Sequence, residues 1–200
     1  MDHRIGNIAT GAAGLFALAL VAGCGGARQT SERPGAVATE RTPPPSRLAA
    51  VFVLESGGAA PEDTTVTFAA RQGRVIIVRR SPPDNSLFAR VTVPADSTKG
   101  ADSVRLTIRP TPGRYGIDLE VRGGLPRGAQ LAMSYAVHFV APAGAKARYE
   151  SDLGFEKALF LAQVTGDSTI TYLPTLRPGS DLISAAIPGP GRFVVAAPRN

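Results

Sequence analysis

Glycine and proline punctuate this chain so often that long helices have little room to form. Its 200 residues include 22 Gly and 17 Pro, spread between short runs of Val, Ile, Leu and Thr. Runs of that kind read as β-strands, because Gly supplies the backbone conformations of tight turns and Pro withholds a donor from any continuing ladder. Ten candidates follow one another, at residues 48–55, 65–70, 74–80, 87–93, 103–109, 115–122, 130–140, 159–164, 169–173 and 192–197. With no helices between them antiparallel pairing is expected, since a parallel crossover takes about a dozen residues or more. The expected fold is all-β, an antiparallel β-sandwich over residues 48–200.

Strict alternation sharpens the expectation. Val104, Leu106 and Ile108 should face a core while Ser103, Arg105, Thr107 and Arg109 face water, and Ile117, Leu119 and Val121 should alternate likewise with Asp118, Glu120 and Arg122. A turn at 110–113 would set Arg105 opposite Asp118, a surface charge pair. A second hairpin is expected around Thr165-Gly166-Asp167-Ser168, where Gly166 and Asp167 tolerate the positive φ of tight turns. Residues 143–157 carry the one helical leaning, a loop with one or two turns.

The first fifty residues differ in kind. After Arg4 an apolar stretch runs from Ile8 to Val21, too short and too rich in Gly and Ala for a spanning helix but suited to the apolar region of a secretory signal. It ends in Leu20-Val21-Ala22-Gly23-Cys24, which resembles the lipobox of bacterial lipoproteins. The chemistry of that motif needs a thiol to take a diacylglyceryl group and small neighbours to enter a narrow peptidase site. Cys24 is the only cysteine, so no intrachain disulfide can staple the domain.

The resemblance implies a signal peptide at 1–23, cleavage before Cys24, lipidation of its sulfur, and membrane lipid as a partner. Two or three acyl chains exceed the marginal hold of one. Gly25 stands where an Asp typically retains such proteins in the inner membrane, so an outer-membrane place in the cell envelope is expected. Residues 24–47 lack apolar periodicity and hold Pro43, Pro44 and Pro45, which fits a disordered, Pro-rich tether.

Within the β region, VTVPADSTKGADSVRLTIRP followed by YGIDLEV, and the closing ISAAIPGPGRFVVAAP, look like the ZU5-type β module of bacterial envelope proteins. Asp96-Ser97-Thr98 departs from the small apolar residues usual there. The resemblance implies protein interaction or structural spacing and carries no catalytic residues with it.

A search for chemistry finds no catalytic constellation. His138 is the only His outside the leader, which thins metal and nucleophile arrangements alike, and its alternation with Val137 and Phe139 reads as a satisfied strand histidine. No G-x-S-x-G or S-x-x-K motif occurs, and neither a P-loop nor G-x-G-x-x-G is present for a nucleotide. Asp118 and Glu120 share one strand face and Glu62-Asp63 lies in a polar loop, but Arg105, Arg109 and Arg122 nearby suit plain charge pairing.

The net charge is +6, yet its Arg residues stand singly among acids instead of clustering with aromatics, so no nucleic-acid partner is expected. Without Trp, and with Tyr115, Tyr135 and Tyr172 in or beside strand patterns, aromatic sugar platforms are lacking. The expectation is a non-enzymatic envelope lipoprotein with no cofactor or metal and an envelope protein as partner. The alternative is a small envelope hydrolase or carbohydrate-binding domain using His138 or the Asp118 and Glu120 pair.

Overall fold

The computed structural model describes residues 41–96, 102–166 and 168–199. The leader at 1–23, Cys24 and most of the tether lie outside these residues, as does Asp167 of the expected turn. Strands account for 50% of the structure and helices for 11%, in antiparallel sheets, so the chain is an all-β sandwich. In chain order the strands are β1 (Ser46–Arg47), β2 (Val51–Val53), β3 (Glu55–Ser56), β4 (Thr64–Ala69), β5 (Arg74–Arg79), β6 (Leu87–Val93), β7 (Ser103–Pro110) and β8 (Gly116–Arg122). There follow β9 (Gln130–Ser134), β10 (Phe139–Val140), helices α1 (Ala145–Tyr149) and α2 (Asp152–Lys157), then β11 (Phe160–Thr165), β12 (Thr169–Tyr172), β13 (Leu176–Gly179), β14 (Leu182–Ala186) and β15 (Gly191–Pro198).

Eight strands make one sheet in the order β1-β12-β11-β15-β8-β7-β4, with β2 joined to β15. Five make the other, β13-β14-β9-β6-β5, while β3 and β10 form a separate short ladder. Strand β15 organises the larger sheet. One of its edges pairs with β11, and along the other β8 and β2 lie end to end, Val194 facing Gly116 and Ala196 facing Val53.

The core lies between the sheets because alternation sends one side chain in two to the same face. Val104, Leu106, Ile108, Ile117 and Phe193 come from the larger sheet, and Ile76, Val78, Val91, Leu131, Met133 and Ile183 from the smaller. Phe155 of α2 joins this core, its ring 6.2 Å from that of Phe52 and 5.7 Å from that of Tyr149. Ser151 starts the helix by accepting the Gly154 N–H at 3.0 Å, satisfying one of the free amides of a first turn.

A second buried cluster occupies the reverse face of β12, β11, β15 and β2. It holds Ile170, Tyr172, Phe160, Ala162, Val194, Ala196 and Val51. These strands are therefore apolar on both faces, unlike β7 and β8.

Several expectations need correction. Ser46 and Arg47 pair with Ile170 and Thr169, so the folded unit begins inside the residues read as tether. The 48–55 strand is broken by a 3-10 turn at Leu48–Ala50. The β7–β8 hairpin sits four residues out of the expected register: Arg105 faces Arg122, and Asp118 faces Arg109. Its connection takes residues 111–115, closed by Thr111 N–H donating to Gly116 O at 2.8 Å, and an even shift leaves every side chain on its expected face.

The 130–140 strand ends at Ser134, and β13 and β14 form a hairpin that the ten candidates did not include. The β11–β12 hairpin and the two short helices lie where they were expected.

Truncating Leu131→Ala should cost about 2–5 kcal/mol in urea denaturation, because the side chain is fully buried between the sheets. Val75→Ala, on a half-exposed edge position, should change stability by roughly 0.5 kcal/mol or less.

Candidate functional site

The polar candidates lie in two unrelated settings. His138 sits in the turn after β9, with a left-handed φ of 63°, and not in a strand as expected. The reason is local: β9 leaves its ladder at Ser134, and the chain turns before β10 pairs with β3. The imidazole lies flat against Gly58, where an added Cβ would come within 2.6 Å of the ring, and its Nε2 is 2.9 Å from Asp84 Oδ2.

Arg80 completes this group from the end of β5. The residue is only 4% exposed, its guanidinium lies 5.1 Å from the Phe88 ring centroid and 5.4 Å from that of Tyr115, and those two rings stack. Its amino groups donate to Ala59 O at 3.0 Å and Ser56 Oγ at 2.9 Å, while its Nε reaches Asp84 Oδ2 only at 3.9 Å. A buried guanidinium satisfied in this way ties together the 56–59 loop, the β5–β6 connection and the Tyr115 strand entry.

The Asp84 carboxyl is held below the ordinary range, first by the Ser86 hydroxyl beside it, then by His138 and the Ser86 backbone, against the opposing cost of partial burial. The Ser86 hydroxyl itself falls short of full hydrogen-bond geometry.

Among the described residues no third group is hydrogen-bonded to this Asp–His pair through the imidazole. Among the described residues Asp84 is the only hydrogen-bond partner of the imidazole, so no hydroxyl stands ready for its base chemistry. The tyrosines do not fill the gap: burial pushes Tyr135 up to about 12 and raises Tyr115, Tyr149 and Tyr172 as well. Tyr115 donates to Val137 O, Tyr135 to Ser180 O and Tyr149 to Pro198 O, whereas the Tyr172 hydroxyl is buried without a partner.

Asp118 and Glu120 stand on the open face of the larger sheet, each taken by an arginine. Arg192 Nε donates to Asp118 Oδ1 at 3.0 Å, and Arg109 bonds Glu120 while also lying 3.3 Å from Asp63. The hydrogen bond from Arg109 holds Glu120 below the usual carboxylate range. Both acids are thus neutralised surface groups. Among the described residues no set of three His, Cys, Asp or Glu side chains is placed to hold a metal ion.

A site the sequence did not suggest lies on the outer face of the smaller sheet. Its registers align Ile77, Arg90, Ala132, Ser184 and Leu176 in one row crossing all five strands. A trough of about 300 Å³ is lined there by Leu176, Arg177 and Pro178 of β13, Ser184 of β14, Ala132 and Gln130 of β9, and Arg90 and Thr92 of β6. Arg177 is engaged elsewhere, donating to Lys157 O and Leu159 O.

Among the described residues Arg90 has no ion pair, and no carboxylate lines the trough. The arrangement suits an extended chain with apolar and acidic groups, since the lining as a whole exposes more apolar than polar surface and Arg90 is an unneutralised cation within it. Comparison of the chain with protein-family models, curated proteins and solved structures found no match.

The lowered Asp84 pKa sets a pH dependence with a definite sign. Its stabilising effect is complete above the ordinary value of 3.8 and is lost as pH falls through the lower folded value. Thermal melts taken between about pH 5 and pH 2 should therefore fall more steeply for the unaltered chain than for Asp84→Asn.

Proposed function

We propose that this is a lipid-anchored envelope lipoprotein whose sandwich is a non-enzymatic binding or bracing module for another envelope protein. The observation that carries the anchor is the lone Cys24, placed where the apolar run ends in Val21-Ala22-Gly23. Acylated there, the chain is held at a membrane by lipid, and the tether gives the domain reach. No helix among the described residues is long and apolar enough to cross a membrane.

The binding reading rests on how the polar groups are used. His138 is committed to Asp84, and Asp118 and Glu120 to arginines, whereas the trough beside Arg90 keeps unsatisfied chemistry. A ZU5-like role in protein interaction agrees with this reading, as does sorting to the outer membrane from Gly25.

Two experiments test it. Cys24→Ser should move the protein out of the washed membrane fraction, and mass spectrometry of the mature chain should find a diacylglyceryl thioether on its first residue; an unmodified thiol sinks the anchor. Cross-linking in intact cells should recover one reproducible envelope protein, and Arg90→Glu should weaken that capture by about tenfold or more, the equivalent of roughly 1.4 kcal/mol. Unchanged capture by the Arg90 variant removes the trough from the proposal.

A further inference from the structure

The edge strands of the two sheets are not alike, and β2, paired with β15 alone among the described strands, is only three residues long. β1 is two residues long and directly follows Pro43, Pro44 and Pro45; β13 contains Pro178 and pairs irregularly; β4 turns Thr65 and Thr67 outward. Short length, proline and polar outward side chains are the usual devices that stop an edge from recruiting another strand. Only β5 lacks them along its centre. It spans six residues, pairs on one side alone with β6, and leaves Val75 53% and Ile77 48% exposed on the outer face.

We infer that β5 pairs antiparallel with β5 of a second copy of this chain, joining the two five-stranded sheets into one continuous sheet. Between Arg74 and Arg79 the strand reads Val75-Ile76-Ile77-Val78, and a two-fold interface sets one copy of this apolar stretch against the other. Period-2 alternation then selects the register. For outer faces to stay on one side the two-fold axis must pass through a residue and not between residues. Centred on Ile76, the pairing sets Val75 against Ile77 of the second copy, twice, and covers the exposed apolar side chains with each other.

That register also places Arg74 opposite Val78 and Arg79 opposite Gly73, so no like charges face across the seam. Centred on Ile77, by contrast, Val75 would meet Arg79 on either side of a single Ile77–Ile77 contact, leaving one outer apolar pair in place of two. The preferred pairing also brings two troughs onto one face, since Ile77 and Val75 lie beside Arg90 and Thr92. It stands on the strand itself and does not need the lipid anchor.

Disulfide trapping of the full chain in membranes tests the pairing, since directly opposed antiparallel residues lie within bridging distance. The double variant Val75→Cys with Ile77→Cys should give a covalent dimer on a non-reducing gel; Val75→Cys alone and Thr65→Cys with Thr67→Cys should give none. Absence of the dimer in the first variant overturns the inference. So does equal trapping through β4, an adduct with a different protein, or trapping by Ile77→Cys alone.

Sedimentation of the detergent-solubilised chain provides a second readout, in which Ile77→Lys should shift a dimer to a monomer with unchanged circular dichroism. An unsubstituted chain that already sediments as a monomer overturns it equally. A disulfide dimer of the unsubstituted chain would report a free Cys24 thiol, the separate signature of a failed anchor.

Discussion

Everything in the larger sheet is placed by the two-sided pairing of β15. A strand bonded along both edges must satisfy its backbone donors and acceptors within the sheet, and here three partners do so: β11 on one side, β8 and β2 in tandem on the other. Phe193, Val195 and Ala197 then point into the core, while Val194 and Ala196 enter the second cluster. Because this strand follows β1–β14 in sequence, it joins partners that all precede it in the chain. Its contacts are long-range, which is the expense of any sandwich built this way.

Arg80 is the corresponding constraint at one end of the sandwich. Burying a guanidinium is tolerable only when its donors are satisfied and its charge is compensated, and two carbonyl or hydroxyl partners, two aromatic faces and a more distant Asp84 share that task. His138 enters as a second partner of the same carboxylate. The pair resembles half of a catalytic relay in composition, but its surroundings direct it to holding loops together. Function is accordingly sought where polar groups remain uncommitted, on the outer face of the smaller sheet.

The two acids on β8 show the same logic from the opposite direction. They are exposed, spaced to face the same way, and each lies beside an arginine, Arg109 being shared between Glu120 and Asp63. Ion pairs of this exposed kind contribute little stability. Meanwhile Arg105 and Arg122 face each other across β7 and β8. Neighbouring carboxylates on the same surface soften that repulsion without cancelling it.

Much of this molecule was legible in the chain because local chemistry is enough to encode it. Gly and Pro spacing declared an all-β fold, alternation named the inward faces of β7 and β8, and Gly166 marked the β11–β12 turn. Residues whose roles depend on partners far away in sequence were not legible. The β13–β14 hairpin carries Pro, Gly and Ala where strong strand formers were sought, and only Ile183 and Ala185 against the core make it a strand. Likewise Arg80, the His138 turn and the row from Ile77 to Leu176 unite segments separated by tens of residues, and a one-dimensional pattern holds no record of such meetings. Turn chemistry and side-chain periodicity are written residue by residue, so the sequence alone determined strands and faces. Register, edges and the uncommitted trough follow from which strands lie side by side, and only the packed tertiary structure decided that.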